Sequence, residues 1–243
     1  MKLVHADGHP QQQWALTNQY AQRIANILNE HIEDVVLVRT VAQTLKQCTG
    51  EWHDDLDRKL SKIRVLYTRR NAEENIPVPD HVTELLQAIH ELYHQPRSAL
   101  YSDLKEQIDS LRGAVLERLA FELIKHRYGE NDECANSRRF VDRYGKVVTL
   151  QEIDLAALSH HRRQLEGYEC KLKALSIENH DCVDLAYLYR SALEEDYQAQ
   201  VGVISLEPSR LVERRLRRLS AALCIHTFGV DALDELQYSP FER

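Results

Sequence analysis

The sequence has little of what several classes of protein require. Its cysteines are scattered, odd in number and free of any Cys-x-x-Cys pair, which argues against a disulfide framework and a structural zinc site. They are Cys48, Cys134, Cys170, Cys182 and Cys224. No uninterrupted apolar run approaches the roughly 18 residues of a membrane helix, and the N-terminus lacks the apolar core of a secretory signal. We therefore expect a cytoplasmic protein with no membrane partner.

Positive charge is also scarce. The formal net charge is −7, whereas proteins that hold DNA over a broad surface are usually basic. Dividing the chain near residue 100 leaves neither part basic. The exception is Arg210–Leu219, which holds five arginines and one glutamate. Any nucleic-acid contact is therefore expected to be a local patch, with Arg214, Arg215 and Arg218 as candidate phosphate-binding residues. A solvated helix face is the alternative interpretation.

The hydrophobic pattern changes near residue 100, which predicts two regions, 1–100 and 101–243. The first region is expected to be helical throughout, since apolar residues recur at helical spacing, as in Trp14, Tyr20, Ile24 and Leu28. Its acidic balance favours contact with a partner protein or a second copy of the chain over contact with substrate. The sequence does not choose between a protein partner and a homodimer.

The second region predicts an α/β fold. A long helix beginning at Ser102 or Asp103 is followed by three strands, a helix, a strand, a helix and a final strand. Arg143–Lys146 reads as the tight turn between the first two strands. Strands joined by a hairpin and then by a helical crossover form a mixed sheet flanked by helices.

Ionisable residues interrupt two of these predicted strands. Asp154 lies in the second strand, and Glu169 and Lys171 share one face of the third because strand side chains alternate. Two carboxylates suit Mg²⁺, which prefers oxygen ligands and keeps several waters. The Cys170 carbonyl would supply a third oxygen. Lys171 would orient or deprotonate water, or neutralise charge on a phosphate, so hydrolysis of a phosphodiester is expected. Glu117 on the preceding helix is a further candidate.

The ordered set of Glu117 on a helix, Asp154 ending a strand, and Glu169-Cys170-Lys171 on the next strand resembles the PD-(D/E)XK nuclease superfamily. The resemblance covers residues 104 to 243 and includes the order of the elements, but Ile153 stands where the eponymous proline would be. It implies a restriction-endonuclease-like fold and a nuclease dependent on Mg²⁺ or Mn²⁺, with DNA favoured as substrate. Asp154 and Glu169 would be metal ligands, Glu117 an added acidic residue and Lys171 the catalytic lysine.

Less specific interpretations remain open. A lone Glu-x-Lys is typical of the solvent face of an edge strand, and Lys173 is either phosphate-facing or a surface charge. Glu152 is a possible extra ligand or a solvated side chain. The same fold without activity, serving as a scaffold or a specificity subunit, is the alternative function. A purely helical adaptor would require the predicted strands to be wrong.

Overall fold

The computed structural model describes residues 1–5, 10–49, 55–72, 77–149, 151–219 and 224–241, with the backbone alone for 70–72. The chain divides into two compact units, one formed by Met1–Gly8 with Leu116–Arg243 and the other by His9–Val115. The assignment of separate functions to residues 1–100 and 101–243 stays a prediction. No helix within the described ranges is long and apolar enough to cross a membrane.

Helices make up the described part of the second unit. They are α1 (Pro10–Leu16), α2 (Gln19–Glu30), α3 (Val35–Gln47), α4 (Leu56–Ala72), α5 (Asp80–Tyr93) and the start of α6 (Leu104–Lys125). The continuous helical pattern around Trp14 breaks into α1 and α2 because the Asn18 side chain accepts the N–H groups of Tyr20 and Ala21 as an N-cap. The Val-rich segment after Asp34 is a helix, with Asp34 as its N-cap.

The first unit is built on a six-stranded mixed sheet. Its strands are β1 (Lys2–His5), β2 (Glu133–Val141), β3 (Ile153–Ser159), β4 (Gln164–Lys171), β5 (Gln198–Ser205) and β6 (Ile225–Phe228), which lie side by side in chain order. The first three pairings are antiparallel and the last two are parallel. The helices α7 (Asn179–Glu194) and α8 (Ser209–Arg218) connect the parallel strands. The predicted order of elements after residue 100 is confirmed.

Strand β1 corrects the expectation that everything before residue 100 is helical. Leu3 pairs with Phe140 in the antiparallel ladder of β1 and β2. A strand of four residues carries too little periodicity to be recognised locally. Its structure depends on hydrogen bonds with a segment more than 130 residues away in the chain.

The connection from β2 to β3 places Asp154 at the start of its strand, where the sequence predicted the end of one. The expected turn is present: Gly145, at a φ of +80°, donates its N–H to the Asp142 carbonyl. Among the described residues of the returning chain, Val147 forms an isolated bridge with Val141, and β3 begins at Ile153. Because β3 runs antiparallel to β4, the start of β3 meets the end of β4.

Candidate metal centre

The pairing of β3 with β4 brings the predicted carboxylates together. Leu155 is opposite Tyr168 in the ladder, so Asp154 and Glu169 occupy the next position along the two strands. The Asp154 Oδ2 atom accepts the backbone N–H of Cys170 at 2.8 Å. This bond ties the Asp154 carboxylate to the strand that carries Glu169.

Both carboxyl groups have raised pKa values. Burial is the main cause of the raised pKa of Asp154, with the Asp181 charge adding to it, while Lys171 and the Cys170 N–H act in the opposite direction. Burial likewise raises the pKa of Glu169 well above its usual range, and the nearby Asp154 charge raises it further. Glu169 is only 4% exposed. Neighbouring carboxyl groups with raised pKa values favour a shared proton or a bound cation over two free negative charges.

The Lys171 ammonium lies among the carboxylates. Its Nζ is 3.0 Å from Glu169 Oε2 and 3.0 Å from Asp181 Oδ1. Burial by itself lowers the pKa of Lys171, but the charges of Glu169, Asp154 and Asp181 outweigh it, and the net pKa is raised. Lys171 is therefore a cation at neutral pH and a hydrogen-bond donor to whatever enters the site.

Asp181 was not singled out from the sequence. It lies in the first turn of α7, is 3% exposed, and accepts the Glu178 N–H at 2.7 Å through Oδ2. The acidic residue of a helical first turn is a recognisable signal. That signal indicates where a helix begins. It does not identify the side chain outside the helix that contacts the second oxygen of the carboxylate.

Glu117 is linked to the same region through the backbone. The Asn136 Nδ2 atom donates to the carbonyl oxygens of Glu117 and Asp154, both at 3.2 Å, and therefore bridges α6 and the start of β3. Glu117 is half-buried. Its charge is one of the causes, after burial and Asp154, of the raised pKa of the Cys170 thiol. A direct role for the Glu117 carboxylate stays a prediction, as does the role of the Cys170 carbonyl.

The predicted phosphate-binding residues fall into two groups. Lys173, Arg214 and Arg218 are exposed. Arg215 is half-buried, and its Nε and Nη2 atoms donate to the Ile177 carbonyl at 3.0 and 2.7 Å. Because Ile177 ends the segment that continues from Lys171 through the short 3-10 helix Ala174–Ser176, Arg215 attaches α8 to that segment. Contact of these four predicted residues with nucleic acid remains a prediction.

The donors present fit a hard divalent cation. Within the part of the chain that the structure describes, no three His, Cys, Asp or Glu side chains form a ready-made metal cage. Mg²⁺ does not require one, since one or two carboxylates with waters and substrate oxygens suffice. Asp154 and Glu169 supply two carboxylates whose pKa values are raised mainly by burial, and a bound cation would favour their charged forms.

Comparison with known proteins gives only distant similarity. Scans against protein-family models and curated proteins find no match for this chain. Among solved structures, protein VC1899 from Vibrio cholerae is similar at 18% identity and a TM-score of 0.37, over 82% of this chain and 55% of that one. Can2 from Sulfobacillus thermosulfidooxidans, solved in complex with cyclic tetra-adenylate, is similar at 15% identity and a TM-score of 0.39, over 83% and 52%. The chain thus spans about half the length of each.

Proposed function

We propose that the protein is a metal-dependent nuclease that hydrolyses phosphodiester bonds of nucleic acid, with DNA favoured as substrate by the superfamily resemblance. The observation that supports this most strongly is the cluster of the buried Glu169 with the half-buried Asp154 and Lys171, where β3 begins and β4 ends. Asp154 and Glu169 would hold Mg²⁺ or Mn²⁺, with Glu117 and the Cys170 carbonyl as further candidate oxygen donors. When bound, the ion would polarise the phosphate and lower the pKa of an attacking water.

The environment of Lys171 favours one of its possible roles, the neutralisation of charge on the phosphate. A lysine held by carboxylates at 3.0 Å with a raised pKa keeps its proton at neutral pH. It would therefore stabilise negative charge as it develops on the phosphate oxygens, rather than deprotonate the water. In the reaction the water oxygen forms a bond to phosphorus, the bond to the leaving oxygen breaks, and that oxygen takes up a proton.

Helix α8 offers a surface for the rest of the substrate. Its exposed residues include Arg214 and Arg218, and Arg215 joins the helix to the segment that follows Lys171. Arginines commonly contact nucleic-acid phosphates. A local basic patch of this kind agrees with a chain whose net charge is −7. Residues 1–100 would contact a partner protein or a second copy of the chain.

The direct test is cleavage of plasmid and single-stranded DNA and RNA in the presence of Mg²⁺ or Mn²⁺. Asp154→Ala and Lys171→Ala are each expected to lose about 100-fold or more in rate, the usual consequence of removing a group that stabilises transition-state charge. The control is Asp132→Asn. The Asp132 side chain is 1% exposed and pairs with Arg162 at 2.8 Å, and it lies near the other end of β3, since Glu133 pairs with Leu158. Undiminished cleavage by both alanine variants would contradict the proposal.

One observation favours the alternative of a catalytically inactive nuclease fold. The Lys171 ammonium already offsets part of the acid in the cluster, as an internal ion pair does in a purely structural site. The alternative predicts that calorimetry detects no binding of Mg²⁺, Mn²⁺ or Ca²⁺ and that no substrate is cut. Metal binding together with substrate cleavage, both abolished in Asp154→Asn, would exclude it.

A further inference from the structure

Asp181, in the first turn of α7, contacts the Lys171 ammonium at the end of β4. Its two carboxylate oxygens have separate partners: Oδ2 accepts the Glu178 N–H at 2.7 Å, and Oδ1 is 3.0 Å from Lys171 Nζ. With a side chain only 3% exposed, Asp181 is fixed by the helix start on one oxygen and presents the other to the lysine. His180, which is exposed, also approaches Oδ1, with Nε2 at 3.3 Å.

Lys171 has two carboxylate partners, and only one of them is a proposed metal ligand. A cation held by Asp154 and Glu169 would compete with the Lys171 ammonium for the negative charge of Glu169, whose Oε2 lies 3.0 Å from Lys171 Nζ. The contact with Asp181 does not depend on that oxygen. Losing a single anchor would leave a long side chain with most of its rotational freedom, whereas a retained second anchor keeps the ammonium in place.

We propose that Asp181 is a positioning residue that holds the Lys171 ammonium beside the cation site while Glu169 binds the cation. This inference rests on the proposed nuclease function and adds to it a residue outside the superfamily motif. Asp181 acts through Lys171 and does not bind the metal. Its removal is therefore expected to affect the rate of the chemical step more than the affinity for metal or substrate.

The main test compares Asp181→Asn, Asp181→Glu and the control Asp132→Asn. Asparagine keeps an oxygen for the Glu178 N–H but offers Lys171 no charge. We expect kcat for Asp181→Asn to fall by about 10- to 100-fold, while KM and the Ca²⁺ affinity measured by calorimetry change by less than about threefold. Glutamate restores the charge and is expected to recover part of kcat. An unchanged kcat, or a Ca²⁺ affinity that falls as much as kcat does, would overturn the proposal.

A second measurement does not require activity. Brief acylation of amines followed by mass spectrometry reports how firmly Lys171 is held, and the exposed Lys173 on the same peptide is the internal reference. With saturating Ca²⁺, which would engage Glu169, the ratio of Lys171 to Lys173 labelling is expected to rise several-fold in Asp181→Asn and to remain unchanged in Asp132→Asn. An equal ratio in wild type and Asp181→Asn would overturn the proposal.

The two measurements separate failure of the inference from failure of the proposed function. If the wild type cleaves no substrate, the nuclease function fails, and the labelling ratio still decides whether Asp181 holds Lys171. If melting temperatures show that Asp181→Asn does not fold, Asp181→Ser replaces it, since a serine hydroxyl also accepts an N–H in the first turn of a helix. The same ratio is then expected to rise in Asp181→Ser.

Discussion

The carboxylate of Asp154 accepts the backbone N–H of Cys170 at 2.8 Å. This hydrogen bond links the start of β3 to the end of β4 at the point where Glu169 and Lys171 emerge. Because only one oxygen of Asp154 takes part, an asparagine at this position would preserve the bond and remove only the charge. Asp154→Asn therefore separates the electrostatic part of the site from its architecture.

We predict that the affinity of the site for a divalent cation rises with pH. The raised pKa values of Asp154 and Glu169 mean that, without metal, the pair retains a proton above the usual titration range of carboxyl groups. A cation must displace that proton, so binding weakens as the pH falls. Calorimetric titration with Ca²⁺ in buffers of different ionisation enthalpy would measure the proton release. The same affinity at pH 5.5 and pH 8 would contradict the prediction.

The same pKa shifts predict how the stability of the metal-free protein depends on pH. A carboxyl group with a raised pKa in the folded state binds its proton more tightly when folded. Its contribution to stability is therefore largest at low pH, and falls as the pH rises from the ordinary carboxyl range through the raised value. Asp154→Asn does not ionise. We expect its melting temperature, measured relative to wild type, to increase from pH 4.5 to pH 7.5.

The expected size of that change is about 2–4 °C, which corresponds to roughly 1 kcal/mol in a chain of this length. Asp132→Asn serves again as the control. The Asp132 pKa is lowered, since its hydrogen bonds and Arg162 together outweigh the effect of burial. Its stability contribution is therefore lost as the pH falls, and removing the charge is expected to be destabilising at pH 7.5. If the melting temperatures of Asp154→Asn and Asp132→Asn, each relative to wild type, changed equally with pH, the raised pKa of Asp154 and the lowered pKa of Asp132 would both be contradicted.

Much of the site was predictable because strand geometry is local. Alternation along β4 places Glu169 and Lys171 on one face, and the order of elements brings Asp154 to them. Asp181 was not predictable in the same way, because its contact with Lys171 depends on how α7 packs against β4. α7 approaches the strand closely here: a Cβ at Gly167 would lie 2.5 Å from Leu188 Cδ2, so the Leu188 side chain would have to shift.

Strand β1 and the bond of Arg215 were also missed because each depends on a segment distant in the chain. β1 forms only because β2 offers a pairing edge, so nothing within its four residues identifies it. The sequence shows that Arg215 is charged, but it does not show that the side chain donates hydrogen bonds to the Ile177 carbonyl.

Gly229→Ala is predicted to destabilise the first unit. The residue follows β6, where a Cβ would lie 2.1 Å from the Ser209 nitrogen and 2.4 Å from the Glu207 carbonyl oxygen. Both atoms belong to the backbone that leads from β5 into α8, so rotation of a side chain cannot relieve the contact. We expect a loss of about 1–3 kcal/mol in the free energy of unfolding, measured by urea denaturation. Gly145→Asn is the contrasting variant, because that turn needs a positive φ but has open space and asparagine tolerates the conformation.

The exposed arginines of α8 are predicted to bind substrate phosphates without contributing to stability. Arg214→Gln with Arg218→Gln is expected to weaken DNA binding and to lower the slope of log affinity against log salt by about 2, roughly one for each phosphate that an arginine no longer neutralises. Fluorescence anisotropy at several salt concentrations, with Ca²⁺ in place of Mg²⁺, measures that slope. Arg215→Gln should instead lower the melting temperature, since Arg215 donates twice to the Ile177 carbonyl. An unchanged salt slope in the double variant would assign the arginines to a solvated helix face.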